Sequence, residues 1–229
     1  MATYVLVHGA WSGGWMWRDV ARMLHAAGHE AFTPTLTGLG ERFHLARPDI
    51  DLDCHVMDVV NVLRFERLER VVLVGYSYGG MVVTGAAEQE PERIVRLVYL
   101  DAFVPFDGES AADLLGPART ALFVRAAEHL GDGWRVPAPK DGGPEGARFT
   151  DMPLEAGLQR LVVRNLAARG LPRTFVLFTA KPATDLLGPV MGRMAARARQ
   201  AGWDSRELAI AHGRGDDAEA VARLLTDLA

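Results

Sequence analysis

From Val71 to Val83 the chain reads VVLVGYSYGGMVV: one serine between two tyrosines, bracketed by glycines, with a run of valines on either side. Gly75, Ser77 and Gly79 fit G-x-S-x-G after a buried strand and before a helix, the context of a nucleophile elbow. A turn this tight forces its serine into a strained backbone conformation, and side chains at the flanking positions would strike the adjoining strand and helix. What the turn provides is a hydroxyl at a helix N-terminus, where the dipole and free N–H groups favour developing negative charge. A serine that only caps the helix is the plainer alternative. Strand, glycines and helix all in register favour the nucleophile.

An attacking serine also needs two oxyanion donors and a base. One donor is normally the N–H of the residue after the nucleophile, the other an N–H from the loop after the first core strand. Here those are Tyr78 and Ala10. In that first loop, VHGAWSGGWMW, Gly9 lets the backbone turn its N–H toward the site, and His8 is suited to ordering the loop. A dinucleotide loop fails on residues, because Trp11 fills the second glycine position of G-x-G-x-x-G and no acid follows the next strand in the expected place. GYSYGGM likewise lacks the lysine of a P-loop. The base belongs on the loop after the last strand, in the chain order Ser, acid, His. Of seven histidines, six fall within the first 129 residues, and only His212 follows a late strand, RELAI. His25 and His29 lie four apart, but Gly28 ends their helix and no carboxylate gives them metal-ligand character.

These residues require a scaffold that brings several loops to one edge. Short β-branched runs (TYVLV, EAFTP, VVLVG, IVRLVYL, TFVLF, RELAI) alternate with stretches of helical period at 15–27, 52–65, 77–90, 187–201 and 216–228. That alternation predicts a parallel sheet covered on both faces, with the ligand outside the carboxyl ends of the strands. The rhythm breaks from 103 to 171. Two helical pieces split at Gly116 and Pro117 are followed by a loop over 134–153, with four prolines and three glycines, and helical spacing resumes over 154–168. An insertion at the carboxyl end of a strand is placed to cover the site, so the chain reads as one domain over 1–229: a core of 1–102 and 172–229, and a lid of 103–171.

Composition narrows the partners. With 49% hydrophobic and 24% charged residues and a net charge of -4, the chain has no general attraction for nucleic acid or anionic membrane, which leaves a small molecule. All but two of the 25 cationic residues are arginine, without a basic run. Cys54 is the single cysteine, so neither an internal disulfide nor a thiolate metal cluster can form, consistent with a reducing compartment. MATYVLVHG enters a strand without a charged leader, and no apolar run reaches 18 residues, so a cytoplasmic location is expected.

With Ala10, Ser77, Tyr78 and His212 placed, the chain resembles the α/β-hydrolases, and more closely the branch of plant methylesterases, hydroxynitrile lyases and bacterial small-ester hydrolases. YVLVHGAWSGGWMW, LHAAGHEAFTPTLTGLGER, VVLVGYSYGGMVV and VYLDAFVPFDGES carry the resemblance. It implies a doubly wound, mainly parallel sheet of about six strands with an inserted helical lid. It also implies cleavage of an ester or lactone of a small to mid-sized molecule through an acyl-enzyme, with no cofactor and no metal. Two departures bear on this. Hydroxynitrile lyases carry threonine after the first-loop histidine and lysine after the catalytic histidine, where this chain has Gly9 and Gly213, so cyanohydrin cleavage is disfavoured. Relatives in this branch end the strand before the last in Thr-x-Asp, whereas TFVLFTAKPATD puts Lys181 at the aspartate position. Two carboxylates satisfy chain order instead: Asp101, rigidly held at the end of IVRLVYLD, and Asp185, on a loop that would have to bend back. The altered acid position keeps open a lyase or cyclase acting on a biosynthetic intermediate such as a polyketide, and a ligand-binding protein with little turnover.

Overall fold

The runs of β-branched and aromatic residues form the strands, because such side chains fit a pleated surface buried on both faces. The computed structural model describes residues 1–139, 146–181, 187–212 and 217–229. In it, β1 (Thr3–Val7), β2 (Glu30–Phe32), β3 (Val71–Tyr76), β4 (Ile94–Leu100), β7 (Arg173–Phe178) and β8 (Asp204–Leu208) form one sheet in the order β2-β1-β3-β4-β7-β8. Every pairing in it is parallel. Val7 pairs with Gly75, Tyr76 with Leu100, Leu100 with Val176, and Phe178 with Leu208. This register brings the carboxyl ends of the central strands to one edge, and among the described candidate residues Ala10 follows β1, Ser77 and Tyr78 follow β3, Asp101 follows β4 and His212 follows β8.

Alternation along the strands divides the core into two layers. Val5, Val7, Leu73, Leu97, Tyr99 and Phe175 face the layer that includes residues of α2 (Leu52–Phe65), α3 (Gly79–Gln89) and α8 (Gly188–Gln200). Tyr4, Leu6, Val72, Val74, Leu100 and Val176 face the layer of α1 (Arg18–Ala26) and α9 (Ala218–Asp227). Among the described residues no helix is long and apolar enough to cross a membrane.

Between β4 and β7 the chain leaves the sheet. Here α4 (Ala111–Leu115) and α5 (Pro117–Leu130) meet at Gly116 and Pro117, as read from sequence, with a Ser110–Asp113 capping box opening α4. The region expected as plain loop contains a two-stranded antiparallel ribbon, β5 (Arg135–Val136) with β6 (Met152–Pro153); residues 140–145 of that loop lie outside the described part. Residues 154–168, expected as one helix, form only α6 (Glu155–Leu158) and the start of α7 (Leu166–Arg169). The intervening N–H groups donate elsewhere: Leu161 to the Glu109 carbonyl, Val163 to Asp107, and Arg164 and Asn165 both to Glu88 Oε2. Partners distant in sequence therefore outcompete the i→i−4 ladder.

Candidate active site

Ser77 sits between β3 and α3 with φ 52°, the left-handed region that side chains avoid. Its surroundings hold it there. Its N–H donates to the Leu100 carbonyl (3.3 Å), and its carbonyl accepts from Phe103 N (3.0 Å) and Gly80 N (3.1 Å). The flanking glycines are required by space: a Cβ on Gly75 would lie 2.6 Å from the Gly79 carbonyl oxygen, and one on Gly79 would lie 2.7 Å from Val7 O and 2.8 Å from His8 O. The helix was expected from Ser77. It begins at Gly79, with Tyr78 as N-cap and no side chain capping the turn.

The loop after β1 is ordered by a buried imidazole. Leu36 N–H donates to His8 Nε2 (3.0 Å), so the proton is on Nδ1, which donates to the Gly9 carbonyl (2.8 Å). Burial keeps this ring neutral, pushing its pKa from 6.5 down to about 4. Ala10 follows directly. Trp11, at φ 64°, then ties the loop to the insertion: Nε1 donates to Val136 O (3.1 Å), the Trp11 carbonyl accepts from Thr150 N (2.9 Å), and the ring meets Phe123 edge-on.

Asp101 lies just past β4, fully buried and also left-handed at φ 43°. Its N–H donates to Val176 O (2.8 Å), fixing the residue to the neighbouring strand. Its Oδ2 is 2.5 Å from His212 Nδ1. A carboxylate only accepts, so the proton is on Nδ1 and Nε2 of a neutral His212 is left as a lone-pair base. The His212 ring also packs on Tyr76, the residue before Ser77, at 4.9 Å between centroids. The loops bearing His212 and Lys181 are joined by Thr179 N to Leu208 O (2.9 Å) and Ala180 N to Ile210 O (3.0 Å). Asp185, Gly213 and Asp216 lie outside the described residues; α9 begins at Ala218 without a side-chain cap.

Ser77, Ala10 and Tyr78 line a cavity of about 1180 Å³ whose other walls include Trp11, Phe123 and Met152. Two features escaped the sequence reading. Lys181 registers there only as a missing aspartate, yet its ammonium contacts Asp101. His55 reads as one more position on the buried face of α2, yet it joins Tyr78: its Nδ1 is 3.0 Å from the Tyr78 hydroxyl, and its Nε2 is 2.9 Å from Thr37 O. A histidine within an otherwise apolar stripe was the available signal. Among the described residues no three His, Cys, Asp or Glu side chains are grouped as metal ligands.

Comparison with known proteins follows the same outline. The chain is 52% identical over 118 residues to a carbendazim hydrolyzing esterase of Nocardioides sp. (strain SG-4G), covering 52% of this chain and 49% of that protein. It is 37% identical over 105 residues to salicylic acid-binding protein 2 of Nicotiana tabacum, covering 44% of this chain and 40% of that protein. The chain thus aligns with about half, or less, of the length of these curated relatives. In three dimensions, an extracellular α/β-hydrolase from a Paenibacillus species superposes with a TM-score of 0.82 at 22% identity, covering 99% of this chain and 98% of that one. The profile of the Alpha/beta hydrolase family matches residues 4–224, and the chain belongs to that family.

Proposed function

We propose that this protein is a carboxylic ester hydrolase working through a Ser77 acyl-enzyme. The observation that carries the reading is the 2.5 Å contact of buried Asp101 with His212, whose ring packs on Tyr76, the residue before a serine held left-handed at the head of a helix. In the reaction, His212 Nε2 takes the Ser77 hydroxyl proton as Oγ attacks the ester carbonyl. The N–H groups of Ala10 and Tyr78 receive the developing oxyanion. His212 then returns the proton to the leaving alcohol, and water repeats the sequence to release the acid. Asp101 holds the imidazole in the tautomer this requires and stabilises it once charged.

Residues 103–171 act as the lid. The apolar and aromatic lining supports an ester with a bulky, planar apolar part, as does the similarity to an esterase named for carbendazim. The test is a panel of aryl and alkyl esters against wild type and Ser77→Ala, with intact-mass analysis after fluorophosphonate treatment. One adduct mapping to Ser77, and a Ser77→Ala protein at background, is expected. Turnover retained by Ser77→Ala would overturn the reading.

A further inference from the structure

Asp101 is more heavily bonded than orienting a histidine requires. Oδ2 serves His212, while Oδ1 accepts from Phe178 N (3.2 Å) and from Lys181 Nζ (2.6 Å). The lysine is held in turn: Nζ also donates to Phe178 O at 2.6 Å, and its side chain is 9% exposed against 0% for Asp101. The chain has two lysines, and this one lies three residues past β7 with its side chain largely covered.

We infer that Lys181 is a positioning residue for the reaction, a fixed cation that holds the Asp101 carboxylate on Oδ1 so that Oδ2 stays aimed at His212 Nδ1. The inference rests on the serine-hydrolase reading above. A carboxylate with no exposure needs a compensating cation. With Lys181 on Oδ1 the charge is already balanced, and Oδ2 is left for the imidazole. The same lysine fixes the carboxylate's rotation, because Oδ1 is gripped both by the N–H of Phe178, the last residue of β7, and by the ammonium three residues on. Lys181, standing where the resembling branch carries its aspartate, thereby supports the carboxylate at the end of β4.

The test is a double-mutant cycle on Asp101 and Lys181, read as the rate of p-nitrophenyl butyrate turnover and of fluorophosphonate labelling. Lys181→Gln keeps a hydrogen-bond donor and removes the charge. It is expected to slow labelling and kcat about 10- to 100-fold while KM changes less than about threefold, the range for loss of an interaction made in the transition state. In an Asp101→Asn background the same substitution should cost nothing further. Lys181→Ala, assayed with added propylammonium, should regain part of the lost rate, which a purely structural role would not allow. The double variant Asp101→Asn/Lys181→Gln carries no uncompensated charge, so the cycle stays readable if Lys181→Gln alone folds poorly. Equal losses in both backgrounds, or wild-type rates for a folded Lys181→Gln, would overturn the inference. Activity in the parallel Ser77→Ala control would instead overturn the hydrolase reading beneath it.

Discussion

At the scale of single residues, the site rests on groups whose ionisation or backbone is set by burial. Asp101 has its oxygens divided between His212 and Lys181. Asp101→Asn keeps the shape but turns a permanent acceptor into an amide that can present N–H to the ring, favouring the wrong tautomer. Turnover is expected to fall about 10⁴-fold, the loss seen when a buried triad aspartate is so replaced, with the melting temperature near wild type; unchanged turnover would mean that His212 works without this acid. His8 gives a prediction about stability. Its folded pKa, about 4, lies below the unfolded 6.5, so the unfolded chain takes up a proton first. The contribution of His8 is full above pH 6.5 and is lost as pH falls toward 4, on the order of 3 kcal/mol in all. Urea unfolding of wild type and His8→Gln from pH 7 to pH 4 should show the gap between them shrinking by that amount. Parallel curves would mean that His8 takes up a proton as readily in the folded protein as in the unfolded chain.

Elements decide where these residues come to lie, and they were unequally legible. The central strands β1, β3, β4 and β7 could be read because each is a largely buried run rich in β-branched and aromatic residues, and strand order then places the loop ends at one edge; the edge strands β2 and β8 are more exposed and carry less of that signal. G-x-S-x-G was legible for the same reason: its glycines answer a local collision. Gly79→Ala should therefore fail sharply, since its Cβ would meet two backbone oxygens within 3 Å. Loss of more than about 2 kcal/mol, as expected when overpacking meets backbone that cannot move, is checked by denaturation. A near-wild-type midpoint would show that the elbow can relax. The stretch 154–168 could not be read, because its pattern is helical while its N–H groups are claimed by Glu88, Asp107 and Glu109, and side chains that distant leave no local trace. The choice between Asp101 and Asp185 was open for a similar reason: chain order allows both, and only the pairing of β4 with β7, with the loop beyond β8, carries Asp101 to His212.

The whole molecule adds a connection between layers that no single element contains. The Tyr78 hydroxyl, buried in the core, lies 3.0 Å from His55 Nδ1 on α2 and donates toward Ala156 O on α6 at 3.2 Å. In the proposed reaction Tyr78 offers its backbone N–H to the oxyanion, while its side chain joins the core helix to the insertion. Thr37 O can only accept, so His55 Nε2 carries the proton, and burial lowers the pKa of this ring and keeps it neutral. Its Nδ1 is then an acceptor, and a single phenolic proton is shared between His55 and Ala156. Tyr78→Phe removes that proton and leaves two buried acceptors unsatisfied, at about 1–3 kcal/mol for each. Because one of them belongs to α6, part of that cost should appear as easier opening of 103–171, with the strands less affected. Limited proteolysis of Tyr78→Phe is expected to cut first within 103–171, and several-fold faster than in wild type. Ester turnover should fall as well, because the elbow loses the anchor that aims its N–H. First cuts inside 71–100, or a cleavage rate equal to wild type, would show that the tyrosine serves the elbow alone and that lid and oxyanion loop move independently.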